Sequence, residues 1–84
     1  MFKVYILYSA SFKKIYVGFT ANLEERLRSH NELGVKGWTI QYRPWTLIHS
    51  ESFEIKKDAM AREKELKTGK GREWIHEVLL KNIL

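Results

Sequence analysis

Two runs of β-branched and aromatic residues, Phe2–Tyr8 and Lys13–Phe19, lie close together, with Ser9-Ala10-Ser11 bounding the first. Runs of this composition and length read as strands. The short polar gap between them predicts an antiparallel hairpin, although no Asn-Gly or Asp-Gly dipeptide fixes its turn type. Gly18 closes the second run, where the backbone must turn or pass close to another group. A chain that begins this way has committed its first twenty residues to a sheet.

The rest must cover that sheet with little material. At 84 residues the chain is a single domain, 1–84, with a thin core. Its eleven aromatics help, because each can bury a large apolar area. Apolar residues at 44% and charged residues at 30% are a globular balance. With no Cys there is no disulfide scaffold, thiolate zinc site or cysteine nucleophile. No apolar run approaches the roughly 20 residues a membrane helix needs, and no secretory signal pattern is present. A cytoplasmic protein without a membrane partner is expected. The net charge of +5 suits a polyanionic partner.

Residues 22–31 read as a helix, with Asn22 as cap and Glu25 as its reciprocal partner. Leu23 and Leu27 form its buried stripe. At about 100° per residue, Arg26 and His30 become neighbours at the edge of that stripe and can point into one cleft. Residues 32–46, with two Trp, two Gly and a Pro, read as a long loop, and 46–53 as a third strand. A helix over 56–68, ended by Gly69, and another over Gly71–Ile83, apolar along Trp74, Ile75, Val78 and Leu79, complete the chain. The order β-β-α-β-α-α predicts an α/β fold of the α+β sandwich type: a small three-stranded sheet flanked by helices.

Glu63 falls among Ala59, Met60 and Leu66 on the helical wheel, whereas Glu65 faces the lysines. A carboxylate in an apolar stripe must be paired, bound to metal or opened to a cleft; a neighbouring Lys or Arg would suffice. Tyr5 and Tyr16 sit mid-strand in adjacent strands, where side chains on one face meet. Each is either a core residue with a satisfied hydroxyl or a cleft residue. Arg26 is either a solvated helix residue paired with a nearby Glu or a phosphate clamp. His30 suits the C-terminal end of a helix dipole. The three His are too scattered for a metal-ligand pattern, so His49 and His76 read as structural. The series Lys56-Lys57, Lys64, Lys67, Lys70 and Arg72 forms either a basic rim or an ordinary solvated face. Trp38, Tyr42 and Trp45 either stack on unpaired bases or cap the core.

Taken in order, Val4-Tyr5-Ile6, Tyr16-Val17-Gly18, Asn22-Leu23 with Arg26 and His30, and Ala61-Arg62-Glu63-Lys64-Glu65-Leu66-Lys67 resemble the GIY-YIG nuclease superfamily. The likeness is to its small free-standing members, similar to the nuclease domain of the bacterial excision-repair incision subunit, and runs from residue 2 to about residue 75. It implies a metal-dependent DNA endonuclease of repair or recombination. Tyr5, Tyr16, Arg26, His30 and Glu63 would be its catalytic residues and Gly18 the backbone that keeps the cleft open. Glu63 would be the sole protein ligand of a Mg²⁺ or Mn²⁺ ion, and Lys14, Arg26, Lys67 and Lys70 would contact nucleic acid. Two positions depart from the pattern: Val4 stands where the first tripeptide has Gly, and Phe19 stands where the repair-type nucleases carry a lysine. An asparagine that some relatives carry after the glutamate has no counterpart before Asn82. The departure at Phe19 keeps a second reading open, a non-cleaving module that binds DNA or a repair-protein partner.

Overall fold

The computed structural model describes residues 1–33 and 38–81, apart from the side chains of residues 32, 33, 38 and 39. Strands β1 (Phe2–Ser9), β2 (Lys14–Thr20) and β3 (Thr46–Phe53) form one antiparallel sheet in the order β2-β1-β3. The hairpin forms as its sequence predicts. Lys13, in its turn, has a φ of 54°, a left-handed conformation that costs a non-glycine residue roughly 1–2 kcal/mol.

β1 is the central strand and both faces of the sheet are covered over it, so it reads as a continuous apolar run rather than an alternating one. Val4, Ile6 and Tyr8 point to one face, where they pack with Val17, Ala59, Leu66, Ile75 and Leu80. Tyr5 and Leu7 point to the other, where they meet Trp45 and, around it, Tyr16, Leu23, Leu27 and Tyr42. The register against β3 shifts between Ile6 and Leu7.

Helix α1 (Leu23–Arg28) covers the second face. Its cap is Asn22, whose Oδ1 accepts the Glu25 backbone N–H at 3.1 Å. Glu25 reciprocates through the Asn22 side-chain amide at 3.3 Å. The predicted helix 22–31 continues beyond α1 as a wider π-helical turn, Ser29–Leu33. In the predicted loop, Trp38–Tyr42 forms a 3₁₀ turn. Trp45 is only 4% exposed, so it caps the core and is not available to stack on a base. The Trp38 side chain lies outside the described residues.

Helices α2 (Lys56–Leu66) and α3 (Gly69–Trp74) follow, and α2 packs on the aliphatic face of the sheet. The boundary between them differs from the sequence reading. Thr68 caps α3, its hydroxyl accepting the Gly71 N–H at 3.2 Å, and Gly69 lies inside the new helix. Gly71 is fixed by packing: a Cβ there would run into the Glu65 carbonyl and the Leu66 backbone. Beyond Trp74 the chain winds as a π-helical segment, Ile75–Leu80. This changes the buried face, since the bonding is i to i+5. Ile75 and Leu80, five apart, are buried, whereas Val78, expected on that side, is 43% exposed. The predicted end at Ile83, with Asn82, lies outside the described residues. No helix among the described residues is long and apolar enough to cross a membrane.

Candidate active site

The hairpin register sets up the site. Tyr5 of β1 lies directly across from Gly18 of β2, and Leu7 across from Tyr16, so the two tyrosines are diagonal neighbours on one face. Their ring centroids are 6.1 Å apart, with the planes inclined by 30°. Only glycine permits this. A Cβ at position 18 would lie 2.7 Å from the Tyr5 hydroxyl, 2.9 Å from its Cζ and 3.0 Å from Tyr16 Cε1.

His30 closes over the pair. Its ring centroid is 4.7 Å from that of Tyr16, and its Nε2 is 3.0 Å from the Tyr5 hydroxyl. Tyr5 is 1% exposed, and burial pushes its phenol far above the usual range. The charge and hydrogen bond of Tyr16 and the charge of Glu63 raise it further, with Arg26 opposing them. The imidazole of His30 is held below its ordinary range by burial, then by Arg26 and Arg43. At neutral pH the contact therefore joins a protonated phenol to an uncharged ring, and the tautomer of His30 decides which of the two donates.

Arg26, one helical turn before His30, is exposed and lines a hollow of about 700 Å³ with Asn22, Ser29 and Lys56. It forms no ion pair among the described residues. Arg43 is the residue that sequence reading missed. It crosses back from the segment before β3 to donate to the carbonyls of His30 and Ser29, at 2.5 and 3.1 Å. Asn31 binds the Trp45 backbone in both directions, at 2.6 and 3.0 Å. These contacts fix the π-helical turn that carries His30. Nothing local announces them, because Arg43 reaches its partners across more than ten residues.

Glu63 takes the paired reading, with a Lys as its partner. Its carboxylate is 3.7 Å from the Lys67 ammonium, one helical turn on, and that side chain is 21% exposed. Its charge also reaches Tyr5. It thus sits at the edge of the apolar stripe, flanked by buried Ala59 and Leu66, with Met60 turned to solvent. Among the described residues no group of three or more His, Cys, Asp or Glu could hold a metal ion. A divalent cation here would have Glu63 as its one carboxylate and would draw its other oxygens from water and substrate phosphate, a donor set that suits Mg²⁺.

Of the expected nucleic-acid contacts, Lys14 and Lys67 line one cleft of about 490 Å³ together with Tyr16. Lys13, Arg72 and His76 complete its polar wall. His76, read as structural, therefore faces this cleft. Lys70 does not join it: it lines a separate hollow with Arg62, Glu65 and Trp74. There Arg62 clamps Glu51 through two bonds of 2.9 and 3.1 Å, pairs with Glu65 and lies over the Trp74 ring. His49 bonds the same Glu51 at 2.7 Å, in keeping with its structural reading. Burial pushes the Glu51 carboxyl up, but the bonds from Arg62 and His49 outweigh it and hold the group below its usual range.

The chain is similar to a known domain over most of its length. Residues 1–74 match the family model described as the GIY-YIG catalytic domain. Similar proteins include a UPF0213 protein of Bacillus velezensis, 41% identical over 66 residues, covering 75% of this chain and 67% of that one. A UPF0213 protein of Natronomonas pharaonis is 37% identical over 65 residues, covering 77% and 75%. A third, from Staphylococcus haemolyticus, is 41% identical over 54 residues, covering 64% and 66%, so the match spans about two thirds of the first relatives' length. Among solved structures, the solution NMR structure of a UPF0213 protein from Bacillus halodurans superposes with a TM-score of 0.55 at 25% identity, covering 93% of this chain and 85% of that one. The chain belongs to the GIY-YIG family, whose catalytic domain accounts for its sheet and for helices α1, α2 and α3.

Proposed function

We propose that the protein is a metal-dependent endonuclease that hydrolyses phosphodiester bonds in DNA, in repair or recombination. The observation that carries this reading is the convergence of Tyr5, Tyr16 and His30 over Gly18, within the electrostatic reach of Arg26 and Glu63. Tyr5, Tyr16 and His30 come together from three separate elements, and each of the five groups suits a step of phosphodiester hydrolysis.

Arg26 offers an exposed guanidinium that binds two non-bridging phosphate oxygens and offsets charge built up in the transition state. Tyr5, held protonated, cannot act as a base near neutral pH. Its hydrogen bond fixes the His30 ring. Tyr16, nearer the surface and on the wall of the basic cleft, orients the attacking water or takes its proton. His30, uncharged, assists in positioning or in proton transfer. Glu63 would hold the divalent cation, Mg²⁺ or Mn²⁺, which when bound stabilises the departing oxygen. Contact is made chiefly through phosphates, and binding weakens steeply with salt.

The test is plasmid nicking by the purified protein in Mg²⁺ and in EDTA. Products should appear only with Mg²⁺. Arg26→Ala should slow cleavage by about 10²–10³-fold, and Glu63→Gln should abolish it, with both variants folded by circular dichroism. Full cleavage by either folded variant rules the scheme out. Phe19 is the observation behind the second reading. It packs against the aliphatic core and brings no cation to Tyr16. DNA retention with no Mg²⁺-dependent product would favour a non-cleaving module that binds DNA or a repair-protein partner.

A further inference from the structure

Lys67 stands between two parts of the molecule that need its charge. On one side its ammonium is 3.7 Å from the Glu63 carboxylate. On the other it lines the cleft shared by Lys13, Lys14, Tyr16, Arg72 and His76, a wall that includes no carboxylate. Its side chain is 51% exposed, and the contact with Glu63 is too long for a hydrogen bond. Such a pair is weak and easily exchanged.

Resting on the nuclease reading above, we infer that Lys67 is an exchangeable counter-ion that couples DNA binding to metal binding. In the free protein it neutralises Glu63 and competes with any divalent cation for that carboxylate. When a DNA phosphate enters the basic cleft, the ammonium turns to it, and Glu63 is left unneutralised next to the substrate. The cation is then held more tightly where a phosphate is also present to complete its oxygen shell. Because coupling is reciprocal, the cation must strengthen DNA binding by the same factor that DNA strengthens cation binding. Lys67 acts here as a positioning residue, through Glu63, and not on the reacting atoms.

The first experiment uses Mn²⁺ alone, without DNA, its binding to the full chain followed by electron paramagnetic resonance. Lys67→Met should raise Mn²⁺ affinity about 2- to 5-fold, the range expected for removing one weak exposed ion pair. Lys67→Arg should leave it near the wild-type value. Glu63→Gln should abolish Mn²⁺ binding in either background, leaving the free-ion signal at full strength. A residue with only a structural or phosphate-binding role would not tighten metal binding when removed.

The second experiment measures the anisotropy of a labelled DNA duplex in EDTA. Lys67→Met should weaken binding about 2- to 5-fold more in the Glu63→Gln background, where Lys67 is free to serve the phosphate, than in the wild type. Equal losses in the two backgrounds, or unchanged or weaker Mn²⁺ binding by folded Lys67→Met, overturn the inference. If Glu63-dependent nicking persists while Lys67→Met leaves Mn²⁺ affinity unchanged, only the coupling falls. If no Glu63-dependent Mn²⁺ binding is seen in any variant, the metal role of Glu63 falls with it.

Discussion

The two faces of one strand divide the work of this molecule. The Val4, Ile6 and Tyr8 face of β1 packs into a core that is chiefly aliphatic, filled by Ala59, Leu66, Ile75 and Leu80. The Tyr5 and Leu7 face packs into rings: Tyr16, Tyr42, Trp45 and, bonded to Tyr5, His30. The first face is shape and burial. The second is also buried, but its polar tips are joined to one another and lead out to Arg26 and to the basic cleft. A domain this small cannot set aside separate volumes for folding and for chemistry, so it uses opposite sides of a single sheet.

The largest stability effect should come from the aliphatic face. Ile6→Ala removes a fully buried side chain from it, and urea denaturation should show a loss of about 2–5 kcal/mol. Nicking by the fraction that remains folded should be little changed, and a selective loss of nicking without destabilisation would break the division. Gly18→Ala comes next. The added methyl would lie 2.7 Å from the Tyr5 hydroxyl, and overpacking of this kind costs about 1–3 kcal/mol. Near-UV circular dichroism should report displaced tyrosines, and nicking should fall further than stability does. Tyr5→Phe keeps the ring and removes its bond to His30. A stability loss of about 1 kcal/mol is expected, with a disproportionate loss of nicking.

The smallest effect is a slope. His30 is surrounded by Tyr5, Tyr16, Arg26 and Arg43, and it is held below the usual imidazole range by burial and then by the two arginines. The unfolded chain therefore takes up this proton near pH 6.5, before the folded chain does. The stability from the neutral ring is full above that pH and is lost as pH falls through the folded value. Urea midpoints at about pH 7.5 and about pH 5.5 should differ less in His30→Gln than in the wild type. An unchanged difference would show that the ring titrates as it does in the unfolded chain.

Much of this was legible before any coordinates. The hairpin showed in the density of β-branched and aromatic residues, and the sheet with flanking helices followed from the order of periodic segments. The five candidate site residues emerged only as an ordered set, since Tyr5 or Arg26 alone has an ordinary structural reading. What stayed hidden depends on contacts between distant residues or on helix geometry. The π-helical segment Ile75–Leu80 shifts the buried face by one position, and no 3.6-residue pattern anticipates that. Thr68 took the boundary that Gly69 advertised because its hydroxyl found the Gly71 N–H. Arg43 and the cleft shared by Lys13 and Arg72 arise where chain ends of separate elements come together. Glu63 was ambiguous on the wheel because it borders buried Ala59 and Leu66 and also pairs loosely with Lys67.

Gly18 carries one more consequence. Sliding β2 by one residue would set Val17 or Phe19 opposite Tyr5, and sliding it by two would set Tyr16 or Thr20 there. Every one of these brings a carbon where the phenol must lie. The missing methyl thus works as a key cut for a single alignment of the hairpin: a mispaired chain cannot seat Tyr5 in its native pose. An alignment error in this domain should yield a dead molecule and not a slow one.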